Sequence, residues 1–91
     1  DAVAEDEYRR VAYLLEAELR ADDEDVEAEG DAYARGLAAY PDDPSLLYSR
    51  ALMWERRDDI ARAEADLRKI LVADPENVAA LNALLAALQG L

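Results

Sequence analysis

The side chains of this chain that could do chemistry are almost all carboxylates. The 91 residues include 22 Asp and Glu but no His and no Cys, and Ser45 and Ser49 are the only aliphatic hydroxyls. Thiol and imidazole catalysis, Cys/His metal sites and disulfides are therefore excluded. Two carboxylates can act as acid and base only where a pocket separates their pKa values, and these acids fall on predicted turns and outer helix faces. We predict no enzymatic activity and no cofactor.

One acidic stretch resembles the start of a calcium-binding loop. Asp25-Val26-Glu27-Ala28-Glu29-Gly30 supplies the early oxygen ligands and the glycine of such a loop. The position of the bidentate Glu that completes the loop is occupied by Gly36, and the same residues are needed for a helix. The sequence therefore predicts no metal site.

The negative charge is concentrated at one end of the chain. Residues 1–31 carry 13 acids against three arginines, a balance of −10 out of the total of −12. Such a surface repels nucleic acid and anionic lipid, which are bound by clusters of Lys and Arg. Two interpretations remain: a docking face for a basic partner, or a solvated surface that keeps the protein soluble.

Helical spacing and capping residues predict five helices. In the first, Tyr8, Val11, Ala12, Leu15 and Leu19 follow helical spacing, and Leu15 and Leu19 are expected to form a buried stripe. Asp43 and Asn77 are expected to cap the third and fifth helices, and Pro44 suits the first helical position. The predicted ranges are about 3–21, 25–40, 44–57, 59–73 and 78–90.

The chain also repeats itself with a fixed period. Pro41 and Pro75 lie 34 residues apart, and residues at the same offset match in type, as Ala17 and Ala51 do. A period of this length is typical of stacked helical hairpins, in which each unit buries its apolar face against its neighbours.

Residues 44–77 resemble the tetratricopeptide repeat (TPR) family. In its first helix the large apolar position is held by Leu47, the small position at the helix crossing by Ala51 and the aromatic position by Trp54. In its second helix the small position is held by Ala63 and the large one beside it by Leu67, and Pro75 is the closing proline. Residues 10–43 form a poorer copy, with Glu29 at a small position and Arg20 at the aromatic one. Residues 78–91 resemble a terminal helix. The resemblance implies a single all-α domain over residues 1–91, a TPR-like superhelix of about two repeats and a capping helix.

What the resemblance further implies is a concave groove that binds a peptide or a partner protein. The expected groove positions are Ser45, Tyr48, Leu52, Glu55 and Arg56 in the third helix, Val11, Leu14 and Glu18 in the first, and Asn82, Ala86 and Gln89 in the fifth. Family members that grip a peptide C-terminus use Lys, Arg and Asn in this groove. Tyr48, Ser49 and Leu52 stand in their place, so this kind of recognition is not expected. The alternative for Tyr48 and Leu52 is plain packing between helices.

The fifth helix carries more leucine than one neighbouring helix can cover. Apart from Asn82 and Gln89, it consists of apolar residues after its cap, whereas a terminal repeat usually has a polar outer face. Burying each remaining Leu is worth about 1.5–3 kcal/mol, so a few together could drive association. A self-associating, homodimeric or designed structural module is therefore the alternative function; the residues that would carry it are Leu81, Leu84, Leu85, Leu88 and Leu91.

The compartment is not indicated by the sequence. The apolar stretches are far shorter than the roughly 20 residues that span a bilayer, and no signal peptide is evident, so we expect a soluble segment without membrane insertion. The chain begins at Asp1 rather than Met, which is typical of an excised, processed or engineered segment.

Overall fold

Residues 1–90, described by a computed structural model, form five α-helices and match the predicted number and order. The helices are α1 (Ala2–Asp22), α2 (Val26–Ala39), α3 (Pro44–Arg56), α4 (Ile60–Ala73) and α5 (Val78–Gln89). The all-α, TPR-like fold class is thereby confirmed. Pro44 opens α3, as expected of a residue whose missing N–H costs nothing at that position.

The helix ends repeat with the same 34-residue period as the sequence. Asp25 and Asp59 cap α2 and α4 by accepting backbone N–H groups at 3.1 and 3.2 Å. Asp43 and Asn77 cap α3 and α5 at 3.1 and 3.0 Å. Each cap satisfies a backbone donor that a helix start leaves without a partner, so the polar residues between the apolar runs fix where each helix begins.

The turns within the two hairpins also have one geometry. Glu24 and Asp58, 34 residues apart, have φ of 58° and 61° in the left-handed region. In each turn the next N–H bonds back to a carbonyl five residues earlier, Asp25 to Arg20 at 2.9 Å and Asp59 to Trp54 at 2.8 Å. This is a Schellman ending, and it reverses the chain after α1 and after α3.

The described chain divides into two compact units, Asp1–Leu46 and the segment from Leu47 onward. In the first unit α1 packs against α2. Gly36 allows a close approach there: a Cβ on Gly36 would lie 3.0 Å from the Tyr13 Cβ and 3.1 Å from the Leu46 Cδ1. The buried residues of α1 and α2 include Ala17, Ala32 and Tyr33.

The second unit contains most of residues 44–77, the predicted better copy of the repeat. Its fully buried apolar residues are Leu47, Ala51, Met53, Ala63, Leu67 and Ala80, with Ile70 almost completely buried. α5 contacts α4, and the side of α5 that carries Ala80 and Ala87 is the buried one. The prediction that residues 1–91 form a single domain stays a prediction.

The predicted buried stripe of α1 is wrong. Leu15 and Leu19 are 52% and 63% exposed. α1 instead buries Ala17, the residue at the repeat position of Ala51. The periodicity of large residues located the helix correctly but not the face that it turns toward α2.

The expectation that the acids lie on turns and outer faces also needs correction. Glu29, Asp43 and Asp66 are buried. Arg50 Nε and Nη2 donate to the two carboxylate oxygens of Asp66, both at 2.8 Å, and this bidentate pair joins α3 to α4. Within residues 1–90 every buried side-chain nitrogen or oxygen atom has a hydrogen-bond partner, which is what allows charged groups to be buried.

Candidate functional site

An open cleft of about 470 Å³ lies within the first unit, between the N-terminal half of α1 and the start of α3. We call it the end cleft; it is lined by Val3, Asp6, Glu7, Arg10, Val11, Leu14, Asp43, Pro44 and Ser45. Three expected groove positions, Val11, Leu14 and Ser45, therefore meet in one concave surface. The remaining lining residues were not predicted as site residues.

Local sequence explains both walls of the end cleft. α1 begins eight residues before Arg10, where the predicted repeat starts, and Asp1 caps it by accepting the Ala4 N–H at 2.9 Å. The opposite wall begins where Asp43 caps α3 and so places Pro44 and Ser45 on the first turn. The sequence could have predicted the wall formed by α1, because the predicted first helix already began near residue 3.

Ionic and aromatic contacts hold the polar rim of the end cleft. The Arg10 guanidinium lies 3.6 Å from Asp6, 3.8 Å from Asp43 and 4.8 Å above the ring of Tyr40. The Tyr40 hydroxyl donates to Asp6 at 2.9 Å. Desolvation, together with this hydrogen bond, raises the pKa of Tyr40 above its ordinary value.

The second unit presents the other groove positions of α3. Tyr48, Leu52 and Glu55 recur at helical spacing, so they share one side of the helix. Leu52 is exposed, and Tyr48 and Glu55 are partly exposed. Arg56, one residue further, is exposed as well. On α5 the groove positions Asn82, Ala86 and Gln89 are all exposed.

α5 has a second apolar surface besides the side that is buried. Leu81, Leu85 and Leu88 are 45%, 55% and 39% exposed. Leu84 is only partly exposed and lies between the buried Ala80 and Ala87, so it is not part of this surface. Leu91, which was predicted to contribute, lies outside the described residues. We call Leu81, Leu85 and Leu88 the α5 leucine face.

The candidate calcium loop is folded as a helix. Asp25 is the cap of α2, and the residues from Val26 to Gly30 form its first turns. Over residues 1–90 no three acidic side chains are placed together as metal ligands. In the same part of the chain, no helix combines the length and the apolar character needed to cross a membrane.

The repeated helix caps and turns define a class of protein, the helical-hairpin repeat proteins. No protein-family model matches the chain. A curated relative from Pseudomonas aeruginosa, named TPR repeat-containing protein PA4667, is 41% identical over 78 residues, which are 86% of this chain. The chain spans only about 13% of the length of that relative. The fold and the relative together confirm the predicted resemblance to the tetratricopeptide repeat family.

Proposed function

We propose that this chain is a protein-interaction module that binds a segment of a partner protein. The binding residues lie on the exposed sides of α1 and α3, the first helix of each hairpin. The observation that carries the proposal is the end cleft, because it brings the groove positions Val11, Leu14 and Ser45 into one concave surface. The apolar and polar residues Tyr48, Leu52 and Glu55 offer a similar mixture further along α3.

The buried carboxylates have structural roles, as expected of a scaffold protein. Asp43 caps a helix and Asp66 pairs with Arg50, so these buried acids are engaged in structure rather than available to a substrate. We therefore infer a non-catalytic module. The relative's name, which describes it as TPR repeat-containing, supports the same reading.

A binding assay on a variant of the α3 face tests this function. Peptides selected from a displayed library on the wild-type protein are measured against Leu52→Glu and, as a matched control, Val72→Glu, which places the same charge at an 85% exposed Val of α4. We expect Leu52→Glu to weaken binding roughly tenfold or more, as loss of a central apolar contact does, and Val72→Glu to leave it unchanged.

Circular dichroism of both variants should match that of the wild type, since neither residue is buried. Equal affinity of the wild type and Leu52→Glu for every selected peptide would contradict binding on this face of α3.

The α5 leucine face favours a second function, self-association into a structural assembly. Three leucines are exposed on a helix that has no charged residue between Val78 and Gln89. A contact between two such faces would bring no like charges together, and apolar burial would drive it. The groove and the α5 leucine face use different residues, so the two functions can be tested separately.

A further inference from the structure

The end cleft has a wall that lies outside the repeat. The repeat begins at Arg10, whereas Val3, Asp6 and Glu7 belong to the first turns of α1. α1 has 21 residues, compared with 13 in α3 and 12 in α5. The additional turns therefore convert one end of the α1 face from an open helix surface into a concave one.

The floor of the end cleft is apolar and uncovered. Val3 is 77% exposed and Val11 is 45% exposed, and Leu14 and Pro44 complete the apolar lining. The volume of about 470 Å³ lies in the lower part of the range of ligand pockets, roughly 300–1,000 Å³. Because one side of the cleft is open, it suits a side chain offered by a partner's backbone passing across the mouth.

The rim of the end cleft has an excess of negative charge. Three carboxylates, Asp6, Glu7 and Asp43, face a single cation, Arg10. Arg10 is already placed between Asp6 and Asp43 and over Tyr40. Glu7 forms no hydrogen bond or ion pair with another described residue. A ligand cation that approaches the mouth would therefore meet an acid that is still available.

We propose that the end cleft binds an aliphatic side chain of a partner protein together with a Lys or Arg next to it in the partner's sequence. This inference rests on the proposed function and names the chemistry of its partner. The acidic rim argues against an anionic ligand, and a second copy of this chain, with a net charge of −12, would be repelled on average. Specificity comes from the pairing of an apolar floor with an acidic mouth.

Three fluorescently labelled peptides probe the two halves of this recognition. The first has the sequence Gly-Ser-Lys-Leu-Lys-Ser-Gly, the second has Glu in place of both Lys, and the third has Ser in place of Leu. Backbone amide NMR of the whole chain, titrated with the first peptide, should shift the signals of Val3, Glu7 and Val11. We expect the second and third peptides to bind at least about fivefold more weakly, as loss of the charge pair or of the apolar contact predicts.

Matched variants separate the cleft from general attraction between opposite charges. Glu7→Lys and Glu5→Lys make the same charge change two residues apart on α1, but only Glu7 lines the end cleft. Val3→Asn and Val72→Asn make the same polar change at two highly exposed valines, of which only Val3 lines it. We expect Glu7→Lys and Val3→Asn to weaken binding of the first peptide roughly fivefold and the controls to leave it unchanged.

Two results would overturn the inference. An equal loss in Glu5→Lys and Glu7→Lys would mean that the peptide is held only by the general negative charge. Binding that is lost in Leu52→Glu but kept in Glu7→Lys and Val3→Asn would place the ligand on α3 alone, and the proposed function would then survive without the end cleft. All the substituted positions are exposed or partly exposed, so each variant should fold.

Discussion

Glu24 occupies a backbone conformation that costs free energy for its residue type. Its φ of 58° places it in the left-handed region, where a Cβ crowds the following carbonyl at a cost of roughly 1–2 kcal/mol. Glycine has no such cost, although it gives the unfolded chain more freedom. The Schellman turn after α1 needs this conformation whatever residue is present.

We expect Glu24→Gly to stabilise the protein by about 0.5–1 kcal/mol, measured as the free energy of unfolding in urea. Glu24→Ala is the matched control, because it removes the same charge from the acidic run but keeps a Cβ at positive φ. Asp58→Gly should give a smaller gain, since Asp tolerates the left-handed region better. Equal effects of Gly and Ala at position 24 would attribute the change to charge instead.

Single residues also account for what could and could not be read from the sequence. Asp43 and Asn77 were predictable as caps because capping depends on residues three positions apart in the chain. The burial of Asp66 was not, because its partner Arg50 lies 16 residues away on another helix. The pairing of such residues depends on how α3 and α4 pack, which residue type and local spacing do not specify.

Between elements, a bidentate ion pair joins Arg50 on α3 to Asp66 on α4. The guanidinium donates two parallel hydrogen bonds of 2.8 Å, and the Asp66 side chain is almost completely buried. A lysine would keep the charge but could not reproduce the two-pronged geometry. Substituting Arg50 by lysine therefore measures how much the stability of this hairpin depends on the bidentate geometry.

We expect Arg50→Lys to lower the free energy of unfolding by about 1–2 kcal/mol, because one hydrogen bond to a buried carboxylate is lost. Arg68→Lys is the matched control: Arg68 pairs with Glu64 within α4, but it is largely exposed, so the change should stay within about 0.5 kcal/mol. Urea titrations followed by circular dichroism measure both. Equal losses in the two variants would show that burial of Asp66 does not strengthen the pair.

The elements themselves were predictable, but the face that α1 buries was not. The large residues Leu15 and Leu19 predicted one buried face, whereas the residue that α1 buries is Ala17. Close packing also occurs at Gly36 of α2, where the nearest residue of α1 is Tyr13. Periodicity reports where apolar residues recur, and the closest approach of two helices depends on where the small ones lie.

The end cleft could be predicted only in part, for a related reason. Val11, Leu14 and Ser45 followed from the family resemblance, since Val11 and Ser45 are 34 residues apart and Leu14 holds the position of Tyr48 in the next hairpin. Val3, Asp6 and Glu7 have no counterpart in the repeat and needed the path of α1 before Arg10. Repeat patterns locate what recurs, and this cleft also uses residues that occur once.

For the whole molecule, the distribution of charge bears on how copies of the chain meet. Residues 1–31 carry most of the net charge of −12, whereas α5 carries none between Val78 and Gln89. Contact through the acidic end of two copies would be repulsive, and contact through the α5 leucine face would not. Association is therefore expected through α5, with each fully buried Leu contributing about 1.5–3 kcal/mol.

Stability should then depend on concentration, since association adds free energy only to the folded state. We expect the thermal midpoint of the wild type to rise between roughly 1 and 100 µM protein, and light scattering on a sizing column to show a dimer at the upper end. Leu85→Glu should abolish both effects because it places a charge in the middle of the α5 leucine face. Val72→Glu, on an exposed part of α4, should preserve them. A wild-type midpoint that does not change with concentration would contradict association through α5, and peptide binding would remain as the function to pursue.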